Sequence, residues 1–170
     1  MSGLYACLTA PASRPFFDVN LAAKTALVTG ALLTHVGVPF FRDEGLDLLE
    51  APFLATVISG AAPDCGWLLA NIMDGSEDNA RVGDIAGVFA RRCHYVFAAA
   101  HAVGCDAVVV GPWGCGAFGN DPGVVADAFD AALQRWGDAF NEVVFSTWGP
   151  ADNREAFERR FKKNHVFSVD

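Results

Sequence analysis

The sequence predicts an α/β fold, a sheet covered by helices, and three observations carry that expectation. Apolar runs without alternation, "FLATVIS" (53–59), "DAVVVG" (106–111) and "EVVFSTW" (142–148), have the character of buried strands. Between and after them, apolar residues recur at helical spacing. From residue 82 onward the order is helix, strand, helix, strand, helix, the alternation of a sheet covered on both faces.

Residues 1–24 are turn-rich, with "PASRPFF" as an irregular segment and a short helix expected near 16–24. The β-branched stretch inside "TALVTGALLTHVGVPFF" predicts extended chain around 26–33, with breaks at its glycines, and "RDEGLDLL" predicts a turn. Strand 53–59 follows, then a loop-rich segment over 60–80 with room for a short helical turn. Val82, Ile85, Phe89, Cys93, Val96, Phe97, Ala100 and Val103 then line one side of a helix that Gly104 stops. After strand 106–111 and a glycine-rich loop, Asp121 is set to cap a helix with Pro122 in its first turn. Val125, Ala128, Phe129, Ala132, Leu133 and Trp136 form its apolar face. Strand 142–148 and a closing helix from Asn153 to Lys163 complete the order, and "RRFKK" (159–163) reads as a solvated helix end.

With 170 residues and no linker or repeat, one domain over 1–170 is expected. A hydrophobic content of 52% against 19% charged residues marks it as globular. The net charge of -8 argues against binding nucleic acid through phosphate neutralisation, which needs a basic face. An anionic small ligand stays compatible with that charge, because backbone amides can hold it. Cys7, Cys65, Cys93, Cys105 and Cys115 form no C-x-x-C pair and are odd in number, which suits reduced thiols in the cytoplasm. "LYAC" (4–7) lacks the flanks of a lipoprotein signal, and the uncharged run Thr25–Phe41 is short and broken, so no membrane association is expected.

The chemistry concentrates in "VVVGPWGCGAFGNDPGVVADAF" (108–129), where Gly114, Gly116 and Gly119 spell G-x-G-x-x-G between a strand and a helix. A loop there, at the carboxyl end of a parallel strand, is where open α/β sheets bind ligands. Its glycines allow positive φ and let amides approach a phosphate closely. A dinucleotide-binding Rossmann turn would need an acidic residue ending the next strand, and that strand ends "FSTW". A P-loop would need Gly-Lys-Ser/Thr. Trp113 and Phe118 offer aromatic surface beside the glycines, while Asp121 at the helix cap directs an anion to the loop amides.

Rival chemistries are weaker. Cys115 precedes a helix, where a thiolate could be stabilised, but nothing aims His94 or His101 at it as a base. Those two histidines lie seven residues apart, about 10.5 Å of helical rise, too far to share a metal ion. Arg42 and Asp43 read as a local pair in a turn, and Trp67 and Trp136 as packing residues.

"GPWGCGAFGNDP" (111–122), followed by "VADAF" and preceded by "AAAHAVGCDAVVV", resembles the diphosphate-binding loop of the bacterial-type poly(ADP-ribose) glycohydrolases, a branch of the macrodomain superfamily. That loop has the form G-x-W-G-C-G-x-F-G-N-D-P, matched here at every fixed position. "SGLYACL" (2–8), "VPFFRDEG" (38–45) and "ATVISGAAP" (55–63) resemble further family segments in the same order, so the likeness covers nearly the whole chain. It implies a macrodomain-like three-layer α/β/α sandwich with a mixed sheet. It also implies ADP-ribose, free or on an ADP-ribosylated protein, as the ligand. Gly114, Cys115, Gly116, Ala117, Phe118, Gly119 and Asn120 would line the diphosphate, with Phe118 against the distal ribose.

The resemblance has departures. The family's catalytic signature, a glycine triplet followed by Gln-Glu-Glu, lies upstream of the segment beginning here at Leu4, and residues 1–170 contain no such run. The glutamates at 44, 50, 77, 142, 155 and 158 stand in other contexts, and "THVG" (34–37) replaces the family's Tyr-Ser-Pro-Asp. The expectation is therefore an N-terminally incomplete domain that binds ADP-ribose without a general acid, with no cofactor, no metal and no catalytic residue assigned.

Overall fold

The computed structural model describes residues 32–43, 45–73, 84–161 and 166–168. Strand β1 (Leu32–Arg42) pairs antiparallel with β2 (Leu48–Gly60). The break expected at Gly37 is a bulge: the register slips between His35 and Val38, and Gly37 takes φ +71°. The turn between the strands is closed from both sides, with the Arg42 guanidinium donating to the Leu46 carbonyl and Asp43 Oδ1 accepting from the Asp47 amide at 2.9 Å. Both residues brace the backbone.

Helix α1 (Cys65–Met73) replaces the single turn expected within 60–80, and Asp64 caps it by accepting from the Trp67 amide at 2.8 Å. Helix α2 (Ile85–Ala102) lies within the predicted span and ends where Gly104, at φ +77°, turns the chain. Strand β3 (Ala107–Val110) leads through the glycine loop into α3 (Pro122–Trp136). Asp121 caps α3 as expected, Oδ1 accepting from Gly123 N at 2.7 Å and Val124 N at 3.2 Å. A 3-10 turn (Gly137–Ala139), β4 (Glu142–Thr147), α4 (Ala151–Arg160) and β5 (Val166–Ser168) follow. β3 and β4 are parallel, as are β4 and β5. The expected helix near 16–24 and the stretch 26–31 lie outside the described residues.

The α/β class holds, with antiparallel pairing in one ladder (β1–β2) and parallel pairing in another (β3–β4–β5). The core is aromatic and sits on one face of the parallel ladder. Phe129 of α3 meets Phe97 of α2 at 6.3 Å, Phe145 of β4 at 5.8 Å and Phe157 of α4 at 6.3 Å, and Phe145 stacks on Phe161 at 4.0 Å. The strands are less enclosed than their apolar runs suggested. In β3 only Val108 is fully buried, and Val109 is 69% exposed. In β2, Phe53 and Leu54 are exposed while 55–59 are half-buried. Unbroken hydrophobicity signalled strands correctly but overstated their coverage by the described elements. Strand β5, three residues among polar neighbours, left no comparable signal.

Arg159 and Arg160 are exposed, as the reading of "RRFKK" as a solvated helix end expects, and Arg160 also makes surface ion pairs. It bridges α4 to α3 by contacting Asp127 at 3.2 Å and Asp130 at 2.9 Å. His94 and His101 are packing residues. Trp136 Nε1 donates to His94 Nδ1 at 2.8 Å, and the His101 ring lies 5.6 Å from the Trp136 ring, so one indole joins both histidines to α3.

Candidate binding loop

The loop after β3 is two successive turns. Cys115 N donates to Pro112 O at 3.1 Å with Gly114 at φ +75°, the positive φ that a type II turn requires at its third position. Gly119 N then donates to Gly116 O at 2.9 Å, and Gly119 takes φ +64°. Two of the three glycines therefore serve conformation.

Gly114 is also fixed by space. A Cβ there would lie 2.6 Å from both Ala62 Cβ and Asn120 Nδ2. Gly111, at the start of the loop, would bring a Cβ to 2.5 Å from the Ser146 carbonyl oxygen, so this glycine permits the close approach of β4. Gly116 carries neither constraint: its φ is not positive, and a Cβ would meet nothing within 4 Å.

Asn120 braces the loop from beneath. Its Nδ2 donates to Gly114 O at 2.8 Å and to Pro63 O at 2.7 Å, and its backbone amide reaches Gly114 O at 3.3 Å. The residue is buried, with its side chain held against Gly114 and Pro63. A second tie joins Phe118 O to Gly66 N at 3.1 Å, at the start of α1. Arg92, buried on α2, donates to the Ala61 carbonyl and fixes the same 61–66 segment from the other side. Burial, and then the neighbouring Arg91 charge, hold the Arg92 pKa below its ordinary value.

These ties leave a defined outer surface. Gly116, Ala117, Phe118 and Gly119 are exposed, and among the described residues nothing accepts from the amides of Gly116, Ala117 or Phe118. The Phe118 ring is 39% exposed. Trp113 is not its counterpart. It packs edge-on against Phe89 at 6.2 Å and under Gly60, as a core side chain. Cys115 is half-buried, with Sγ 3.9 Å from the Trp113 carbonyl. Burial, and then the Asp121 charge, push its thiol up to about 11, which removes the thiolate that a nucleophile needs.

Trp148, just past the end of β4, is 76% exposed. Neither Trp148 nor Arg92 stood out in the sequence. For Arg92 a signal existed: Ile85, Phe89, Arg92 and Val96 follow helical spacing, so a guanidinium interrupts an apolar stripe. Among the described residues there is no cluster of metal-ligating side chains, and no helix is long and apolar enough to cross a membrane.

Fold and site together define the class: an α/β domain in which a braced glycine loop, after a parallel strand, presents backbone amides that meet no acceptor among the described residues. No family profile and no curated protein matches the sequence. Solved structures do. The poly(ADP-ribose) glycohydrolase of Deinococcus radiodurans, crystallised with ADP-ribose, superposes with a TM-score of 0.78 at 31% identity over 94% of this chain. The enzyme of Thermomonospora curvata superposes with a TM-score of 0.70 at 32% identity over 88%. The chain is similar in sequence and in its macrodomain-like α/β fold to the bacterial poly(ADP-ribose) glycohydrolases. It spans 63% of the Deinococcus chain and 54% of the Thermomonospora chain.

Proposed function

We propose that residues 1–170 form one ADP-ribose-binding domain of the glycohydrolase type. The diphosphate sits on the loop Gly114–Asn120, receiving hydrogen bonds from the amides of Gly116, Ala117 and Phe118, with the Phe118 ring against the distal ribose. Gly114, Cys115, Gly119 and Asn120 shape the loop rather than reach the ligand. The observation that carries this reading is the set of exposed amides with no acceptor among the described residues. Unpaired N–H groups converging on one surface are an anion cradle, independent of side-chain charge. The crystallisation of the Deinococcus relative with ADP-ribose supports the choice of anion.

The ligand is free ADP-ribose or an ADP-ribosylated protein in the cytoplasm, and the net charge of -8 weighs against nucleic acid. The domain binds without cleaving. Glu50, Glu142, Glu155 and Glu158 are all exposed, on β2, the start of β4 and α4, while Glu44 and Glu77 lie outside the described residues. The alternative, an active glycohydrolase, is favoured by the activity named for both relatives. Titration calorimetry with ADP-ribose tests the binding reading. Saturable heat is expected, and none with the purified 170-residue protein would overturn it.

A further inference from the structure

Helices α2 and α3 meet through the aromatic pair Phe97–Phe129 and, at the C-terminal end of α3, through one side-chain hydrogen bond. Trp136 Nε1 donates to His94 Nδ1 at 2.8 Å, and both residues are half-buried. An indole nitrogen can only donate, so His94 Nδ1 must be bare and the ring's single proton must sit on Nε2. His94 is neutral whenever this bond is made. On α2, the Tyr95 ring lies 5.5 Å from that of His94, and the His101 ring 5.6 Å from that of Trp136. On α3, the Arg135 guanidinium lies over the Trp136 ring at 5.9 Å. Arg91, three residues before His94, is paired with Asp84, while Arg92 donates to the Ala61 carbonyl. Asp138 follows Trp136 by two positions and is exposed on the 3-10 turn. Among the described residues no carboxylate pairs with His94, His101 or Arg135, so no negative charge is on hand to hold an imidazolium at His94.

We infer that His94 and Trp136 form an acid-released latch between α2 and the C-terminal end of α3. Protonation places a hydrogen on Nδ1, opposite the indole N–H, and two donors cannot share one bond. It also adds a positive charge beside an indole that Arg135 already lies over. An imidazole in an unfolded chain takes up its proton near pH 6.5, and the latched state has no place for that proton. The unfolded state therefore binds more protons, so the latch's contribution to stability is whole above that pH and is lost as the pH falls below it. His101 does not carry the switch, because it meets Trp136 only ring to ring and its protonation leaves the hydrogen bond intact. Helix α3 runs from Pro122 to Trp136, about 20 Å of rise, so release acts at the end remote from the glycine loop. This inference thus stands apart from the ADP-ribose reading.

The test is NMR of the indole N–H resonances of the 170-residue protein at pH 7.5 and 5.5, with the Trp136 signal assigned through Trp136→Phe. That signal should lie downfield at pH 7.5 and move toward the free-indole position at pH 5.5, its exchange protection falling by about tenfold or more. His94→Asn keeps an oxygen near the Nδ1 position that accepts from the indole and takes up no proton, so its signal should hold across the interval. Over the same interval the melting temperature of the parent should drop by about 2–4 °C relative to His94→Asn, the loss of about one hydrogen bond. A Trp136 signal that stays put in the parent, or moves equally in His94→Asn, would overturn the inference. So would a response that His101→Asn abolishes while His94 is intact.

Discussion

Asn120 Nδ2 lies 2.8 Å from the carbonyl oxygen of Gly114, closing the glycine loop across its own base. The same nitrogen reaches Pro63 O at 2.7 Å, so one side chain sets the loop's curvature and its seat on the 61–66 segment. The loop is therefore built from the inside, which leaves its outer amides free for a ligand. Among the described residues Asn120 Oδ1 has no partner; the amide is oriented by its two donor contacts.

The glycines separate into those that fold the loop and one that faces out. Gly114→Ala forces a Cβ to 2.6 Å from Ala62 and keeps a positive φ, so stability should fall by about 1–3 kcal/mol. Gly116→Ala should stay within about 0.5 kcal/mol of the parent, since open space surrounds the site. Gly116→Asp should fold normally yet lose ADP-ribose binding, because a carboxylate meets the diphosphate. Thermal melts and calorimetry on the three variants check the division. Unchanged heats from Gly116→Asp would remove the loop from the ligand site.

Asn120→Ala removes two hydrogen bonds, leaving the Pro63 carbonyl without its side-chain donor and the Gly114 carbonyl with the Asn120 backbone amide alone. A loss of about 1–3 kcal/mol in stability is expected. Binding of ADP-ribose should weaken as well when measured far below the melting temperature, as the amides lose their fixed geometry. Retained affinity in a destabilised variant would show that the loop keeps its shape without this brace.

Much of this was legible in the sequence, and the misses share a physical origin. Helical periodicity, Gly104 as a stop and Asp121-Pro122 as a start located α2 and α3, because those signals are local. The glycine motif located the loop for the same reason. Local signals say nothing of where a side chain turns, so neither the hydrogen bonds of Asn120 to Gly114 and Pro63 nor the packing of Trp113 against Phe89 was legible. The half-open faces of β2 and β3 were illegible because burial depends on which elements come to lie against a strand. Arg92 was overlooked because its role depends on Ala61, distant in sequence and adjacent in space.

Phe118 is suited to a clean affinity test. Its carbonyl anchors the loop to Gly66, while its ring is 39% exposed and bears little on the fold. Phe118→Ala should weaken ADP-ribose by about 1–3 kcal/mol, as an aromatic anchor does when it is removed. Calorimetry reads the change directly. An unchanged affinity would place the ribose elsewhere.

The cysteines predict a pH dependence. Burial pushes the Cys93 thiol up to about 12, and burial with the Asp121 charge pushes Cys115 up to about 11, from an ordinary 9.0. A raised folded value means the native state holds protons that the unfolded chain releases. Their contribution is full below pH 9 and is lost as the pH rises toward 11 and 12. Melting temperatures should therefore fall across that alkaline window, less steeply in Cys115→Ala. At pH 7.5, iodoacetamide should modify Cys115 roughly a hundredfold more slowly than an unhindered thiol. Site-resolved mass spectrometry finding Cys115 as the fastest-reacting cysteine would reverse the assignment.

The 170-residue protein should bind ADP-ribose but not release it from poly(ADP-ribose). Cleaving a glycosidic bond through an oxocarbenium-like transition state needs a carboxylic acid beside the leaving oxygen. The described glutamates are exposed on β2, β4 and α4, and none borders the loop. Asp121 is committed to capping α3, and Cys115 holds its proton until about pH 11, too weak an acid to donate in time. Losing a general acid lowers rate by about 10²–10⁴. Incubation with automodified polymer, followed by chromatography for free ADP-ribose, should give turnover lower by that factor than the Deinococcus radiodurans enzyme. Turnover equal to that enzyme's would require an acid among residues 1–170. Asp64 would be the first to replace, because its segment is joined to the loop through Pro63 and Gly66.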